Sequence, residues 1–403
     1  MTSGTAASAA DPAPDSTQFS LVHGGPLFQL LLKAHLTGDA LNLTGRRIVA
    51  FVLISWLPLL VLATRDGHLF GGHLTVPFLT DVETHVRFLV VVPLLLAAEL
   101  IVHRRLLGVA GTFLERKLVP ADALPRFHAA LAAASRLRNS LLAEVLLLAC
   151  VYVVGVFIVW RHYTGLDTSA WFAITSATGP RLSPAGKWYA YVSLPIFQFL
   201  LLRWYFRVAI WTRFLWQVSR VDLALVPTHP DQLGGLGFLG NTVYAFSLLL
   251  AAHGAMLAAQ IANRIFYVGA ALTDFKLEIA VLLGFLMAAV FGPMLVFSPK
   301  LARARREGLN EYGLLAQRYV REFDHKWVRG RKPDGEPLLG SADIQSLADM
   351  GNSFAVVRSM RLAPITRNAV LPLAACVLVP LIPLLLTVMP VEELARKLLG
   401  LVL

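Results

Sequence analysis

The sequence predicts an all-α fold, a polytopic transmembrane helix bundle of about seven spans with amphipathic cytoplasmic helices. Three observations predict it. The 403-residue chain is 56% hydrophobic and only 15% charged, whereas a soluble domain carries roughly 25% charged residues. Its apolar residues gather into runs of the length, roughly 17–25 residues, that a helix needs to cross an apolar slab about 30 Å thick. Its basic residues gather at the ends of those runs. In a soluble protein the formal net charge of +11 would suggest nucleic acid. Beside membrane spans it points instead to a bilayer with anionic headgroups, and no nucleic acid partner is expected.

Residues 1–20 are rich in Ala, Ser, Thr, Pro and Asp and lack a basic n-region and an apolar stretch. They are expected to be a disordered tail and not a signal peptide. The transmembrane bundle is expected over 21–297, with spans near 48–64, 86–102, 141–160, 189–210, 242–262 and 277–297. Arg46, Arg47 and Arg65 bound the first, and His103, Arg104 and Arg105 end the second. The fourth carries Trp188 at one end and Trp211 at the other, about 35 Å apart on a helix, close to the separation of two interfacial belts. A cytoplasmic helical segment over 298–368 follows. The last span and a C-terminal amphipathic tail occupy 369–403, where Pro380 and Pro383 leave open a segment that folds back instead of crossing.

Orientation follows from the loops. With the N-terminus cytoplasmic, about 27 of the 36 Lys and Arg lie on the inner side and about nine outside, the positive-inside bias expected of a membrane protein so oriented. The inner connections look folded. Leu309, Tyr312, Ala316, Tyr319, Phe323 and Trp327 recur at three- and four-residue spacing in a helix that extends the sixth span. A turn-forming stretch, Arg331 to Gly335, separates it from a second amphipathic helix with Ile344, Leu347, Met350, Phe354 and Val357 on one face and Ser341 as its N-cap. The two stripes predict an αα-hairpin, or a face for the membrane surface, a homo-oligomer or a cytoplasmic protein partner.

The most distinctive stretch is Thr228–Gly240, THPDQLGGLGFLG. The amides of Gly234, Gly235 and Gly237, at the start of a membrane helix, suit a phosphate or carboxylate, with His229 and Asp231 beside them. The plainer reading is that Asp231 caps a helix and the glycines let two helices touch. The stretch lacks the Lys-Ser/Thr ending of a phosphate-binding loop, and two ligands are too few for a structural zinc. Ionisable residues within spans form a second group: Glu99, Glu144, Arg203, Arg207 and His253. Charges in lipid are costly and find partners inside the bundle, so a pair of Glu99 or Glu144 with Arg203 is expected. Arg207 is expected to snorkel to the inner headgroups, and His253 to make a helix–helix hydrogen bond in preference to a proton relay. All but His253 fall at one depth with the glycine loop, so one polar pocket open to the inner side is expected. Cys150 and Cys376, both in apolar runs, read as free thiols. No catalytic motif, cofactor or metal set is recognised.

Thr228–Gly240 and Glu311 to Arg361, the latter with Glu311-Tyr312-Gly313 and Leu338-Leu339-Gly340-Ser341-Ala342-Asp343-Ile344-Gln345-Ser346-Leu347-Ala348-Asp349, resemble a family of uncharacterised multi-pass membrane proteins from Gram-negative bacteria. The resemblance runs from about residue 20 to the end. It implies a bacterial inner-membrane location and no assigned activity, and it carries over no site residue. Function is therefore read from the residues: transport or channel-like conduction of an ion or small anion through an inner-leaflet polar site. The alternatives are a membrane scaffold or assembly module that uses the cytoplasmic helices, and an enzyme acting on a lipid headgroup.

Overall fold

A computed structural model of the chain describes residues 20–33, 43–70, 74–160, 170–176, 179–330, 337 and 341–387. The expected tail before residue 20, the turn at 331–335 and the C-terminal tail beyond 387 lie outside them. The described chain is an all-α bundle. A short α1 (Pro26–Lys33) precedes α2 (Thr44–Arg65) and α3 (Val82–Glu115). Next come α4 (Ala121–Arg138) and α5 (Leu141–Gly155), bent by 47° at their junction. A small antiparallel hairpin, β1 (Ala173–Ser176) with β2 (Gly179–Leu182), leads into α6, which runs without a break through Pro184–Trp188, Tyr189–Ser193 and Leu194–Ser219. The remaining helices are α7 (Leu236–Val268), α8 (Leu272–Val328), α9 (Ala342–Arg358) and α10 (Asn368–Thr387).

Five of these, α2, α3, α7, α8 and α10, are long and apolar enough to cross a membrane, and the bent α4–α5 pair raises the number to six. Helix α6, the expected fourth span, is long enough but is not among them; Arg203 and Arg207 in its middle dilute its apolar character. Burial separates the helices into layers. The most apolar stretch of α7 is 61% buried, against 22% for that of α2. So α7, with α3, forms the centre, and α2, α5, α8 and α10 surround it. The outer helices expose Val49, Leu53 and Val61, Leu142 and Val145, Leu277 and Val281, and Leu371. An apolar belt of that extent is unstable in water and suits hydrocarbon.

Local chemistry explains the breaks. Proline has no N–H and its ring clashes with the carbonyl four residues back, which opens the preceding turn. The π-widened turns Arg87–Val91 and Tyr189–Ser193 lie just ahead of Pro93 and Pro195. In α10 the prolines do not reverse the chain: the helix continues past Pro372 and tightens into a 3-10 stretch over Val379–Thr387. Helix α8 runs from the sixth apolar stretch straight to Val328, as its periodicity predicts. The stripe residues Leu309, Tyr312, Ala316, Tyr319, Phe323 and Trp327 are all half-buried, and Gly313 lies against Phe354 of α9. The expected αα-hairpin forms, though Ile344 remains 43% exposed, outside the contact.

Helix α10 approaches α7 backbone to backbone at Gly254, where any Cβ would overlap the Val377 carbonyl. Gly254→Ala is expected to push α10 off α7 and destabilise the protein by about 1–3 kcal/mol, the usual range for overpacking. Gly284→Ala, whose Cβ meets nothing within 4 Å, is expected to be neutral or stabilising by about 0.5–1 kcal/mol. Thermal unfolding of the detergent-solubilised variants checks both.

Candidate functional site

The ionisable residues of the spans assemble around one carboxylate. Glu99 projects from α3 and is 3% exposed. Its Oε2 accepts Arg47 Nη2 from α2 at 2.6 Å, and its Oε1 accepts Arg207 Nη1 at 2.7 Å and Arg203 Nη1 at 3.3 Å, both from α6. Arg203 Nη2 reaches on to Glu144 of α5 at 3.3 Å. The two arginines of α6 share a face because they stand one turn apart, and that face meets Glu99. Both carboxylates expected as partners of Arg203 are therefore bound by it at once. Arg207 does not snorkel. It is 3% exposed, paired with Glu99, and its guanidinium lies 5.0 Å from the Trp204 ring centre. Burial beside a carboxylate outweighs the headgroup region for a side chain whose helix faces inward. Arg47 was read as a flanking charge of the first span, yet it is 1% exposed and also donates to the Leu96 carbonyl.

The N-terminal segment closes this group from one end. The Leu27 amide donates to Glu144 Oε2 at 2.8 Å, and Arg138 Nη1 donates to the Ser20 carbonyl at 2.6 Å. Ser20 Oγ in turn lies 2.8 Å from His103 Nδ1 of α3. His253 sits elsewhere, in a helix–helix contact. Its Nε2 is 2.6 Å from the Tyr205 hydroxyl of α6, and its Nδ1 is 2.7 Å from the Leu249 carbonyl.

The glycine loop folds around its own anion. The amides of Leu233 and Gly235 donate to Asp231 Oδ1, and that of Gly237 donates to Oδ2 at 2.8 Å. His229 Nδ1 stands 2.9 Å from Oδ1. The Asp231 carboxylate thus occupies the place where a bound phosphate or carboxylate was expected. Gly235 has φ +100, in the left-handed region that glycine adopts without strain, and Gly237 leaves no space for a Cβ beside Asp231. Arg116 donates to the Gly235 carbonyl and Arg361 to that of Asp231, tying the loop to α3 and to the end of the hairpin. The cavity beside this loop is lined by Arg116, His229, Asp231, Asn241 and Arg361 and by none of Glu99, Glu144, Arg203 or Arg207, so the expected single pocket is two separate structures.

Comparison of the chain with protein-family models, curated proteins and solved structures finds no match. Its chemistry is therefore read from its own residues alone.

A second buried polar group, at the N-terminal end of α3, escaped the sequence reading. Asp81 caps α3, accepting the Thr84 amide and hydroxyl, and also binds Trp171 Nε1 at 2.9 Å and Asn263 Nδ2 at 2.7 Å. Nearby, Arg87 donates to the Tyr189 hydroxyl and to Glu83, so the two π-widened turns face each other. The Asp81-x-x-Thr84 spacing was the available signal, as an N-cap. The free thiols are Cys150, exposed on the bundle surface, and Cys376, half-buried.

Two predictions follow from these geometries. Glu99→Gln leaves three buried guanidiniums with one remaining carboxylate and is expected to destabilise the bundle by about 3–5 kcal/mol, read as lower membrane abundance and a lower unfolding temperature. Partial burial works to raise the Asp231 carboxyl, but the amides of Leu233, Gly237 and Gly235, helped by His229, outweigh it and hold the group below the usual carboxylate range. Because the folded value is the lower one, Asp231 stabilises its loop fully at neutral pH, above the unfolded value of about 3.9. That contribution is lost as pH falls through the depressed folded value. The protection factors of the amides over residues 228–240, each exchange rate taken relative to the intrinsic rate at the same pH, are expected to fall on acidification in the wild type, and to be low and independent of pH in Asp231→Asn.

Proposed function

We propose that the chain is a multi-pass protein of a bacterial inner membrane, N-terminus cytoplasmic, that takes up a small anion at the Arg47–Glu99–Arg203–Arg207 group and conducts it across the bilayer. The observation that supports this most directly is the charge imbalance within the bundle. Three buried guanidiniums meet the two carboxylates Glu99 and Glu144, and Nε of Arg47 has no hydrogen-bond partner among the described residues. An excess charge buried within a membrane bundle costs several kcal/mol, and a bound anion removes it. The inward orientation of the basic end rests on the distribution of Lys and Arg. The inner-membrane assignment rests on the resemblance carried by Thr228–Gly240 and Glu311 to Arg361.

The hairpin of α8 and α9 favours a second reading, an assembly or partner-recruiting module. Asp343 of α9 latches it, accepting Lys326 Nζ at 2.7 Å and Trp327 Nε1 at 2.9 Å. These two hydrogen bonds, Lys326 first, hold the Asp343 carboxyl below the usual carboxylate range. Beyond the contact between the helices, Leu314, Leu315 and Val320 stay exposed and suit a homo-oligomer or a cytoplasmic protein.

Proteoliposomes carrying the wild-type protein are expected to pass chloride under an imposed potential. Arg207→Gln, at matched abundance, is expected to cut that flux by about tenfold or more, since removing one partner of a buried charge pair costs about 2–5 kcal/mol. Proteoliposomes that remain chloride-tight with the wild-type protein, or a flux that Arg207→Gln leaves unchanged, overturn the reading.

A further inference from the structure

Two openings on the outside of the bundle run into each other between α6 and α8. One, of about 650 Å³, is a mostly apolar slot walled by Tyr205, Val208, Ala289, Gly292 and Val296, with Arg213 also in its lining. The other, of about 670 Å³, is lined by Arg220, Lys300, Arg303 and Asp222. Trp216 and Val296 line both, so they form one groove with an apolar arm and a cationic arm. The α6 wall uses positions 205, 208, 212 and 216, the helix face opposite Arg203 and Arg207. This groove therefore opens on the outside of the bundle and is separate from the Glu99 group.

The two arms carry the chemistry of one kind of molecule. In the cationic arm three basic side chains meet a single carboxylate, that of Asp222, which is 85% exposed and only 3.4 Å from Lys300 Nζ. Lys300 also donates to the Val221 carbonyl, which anchors its ammonium at the mouth. The Arg220 guanidinium lies 5.0 Å from the ring centre of Trp216, itself 46% exposed at the junction of the arms. An indole at such a junction is typical of the headgroup level, where one edge is wet and the body is not. Small residues, Ala289 and Gly292, open the apolar arm. Basic pockets between membrane helices on the cytoplasmic side suit phosphate headgroups, and a neighbouring apolar slot suits an acyl chain.

We propose that this groove holds an anionic phospholipid, its phosphate between Arg220, Lys300 and Arg303 and one acyl chain along Tyr205, Val208 and Gly292. Occupancy would fasten α6 to the lower half of α8, which continues into the hairpin.

The test uses the full-length protein, stripped of lipid in detergent and offered phosphatidylglycerol, phosphatidylcholine or inorganic phosphate, with native mass spectrometry and thermal unfolding as readouts. Phosphatidylglycerol is expected to be retained and to raise the unfolding temperature, and phosphatidylcholine and inorganic phosphate to do neither. Gly292→Leu fills the apolar arm; the backbone there is helical and an added Cβ meets nothing within 4 Å. Arg220→Gln with Arg303→Gln empties much of the cationic arm at two exposed positions. Each variant is expected to lower phosphatidylglycerol retention by roughly tenfold or more, with the unfolding temperature of the lipid-free protein unchanged. Equal retention of the two lipids, equal protection by inorganic phosphate, or undiminished retention in both variants overturns the proposal. Retention is measured without flux, so the outcome is independent of whether the protein conducts anions.

Discussion

Glu99 is the point on which the bundle is registered. One carboxylate on α3 receives arginines from α2 and α6, and Arg203 passes the connection to Glu144 on α5 and so to the N-terminal segment. In hydrocarbon, apolar helix faces gain little by leaving lipid for one another, so packing and polar contacts decide which helices meet and at what height. A charge displaced from this group has no water to turn to. Sliding any of the four helices by one turn would strand a guanidinium or a carboxylate, so the network selects one register among many that are similarly apolar.

The N-terminal end of α3 is held by the same logic with a different chemistry. Asp81 gathers its own helix cap, the indole of Trp171 ahead of the hairpin strands and the amide of Asn263 on α7. Helix α3 is thus pinned by a carboxylate at its N-terminus, held by neutral donors, and by another at its middle, held by guanidiniums. Between them the proline-widened turns of α3 and α6 bring Arg87 and Tyr189 together. The widening rotates the residues that follow relative to those before it, so each helix presents different faces to Asp81 and to Glu99.

Close backbone approach completes the packing. Gly254 admits the Val377 carbonyl, which seats α10 on the central helix α7. The Asp231 loop does the corresponding work where α7 begins, since its carboxylate satisfies three amides that would otherwise be buried without partners. An internal carboxylate and a bound anion satisfy the same donors, which is why the loop pattern suited both readings.

The all-α membrane class, the apolar stretches, the extension of α8 and the hairpin with α9 were legible in the sequence. Each depends on composition or on helical periodicity, and both are properties of contiguous residues. Ser341 was legible as a cap for the same reason. The pairing of Arg203 with Glu99 and Glu144 was partly legible, because buried charge has to be matched within the bundle. The inward position of Arg47, the failure of Arg207 to snorkel and the separation of the Asp231 loop from Glu99 were not. A flanking arginine and a buried one have the same local sequence, and only the rotation of each helix about its axis tells them apart. Periodicity shows that a helix has faces; which neighbour each face meets is settled by contacts between residues as far apart as Arg47 and Arg207, and those exist only in the tertiary structure.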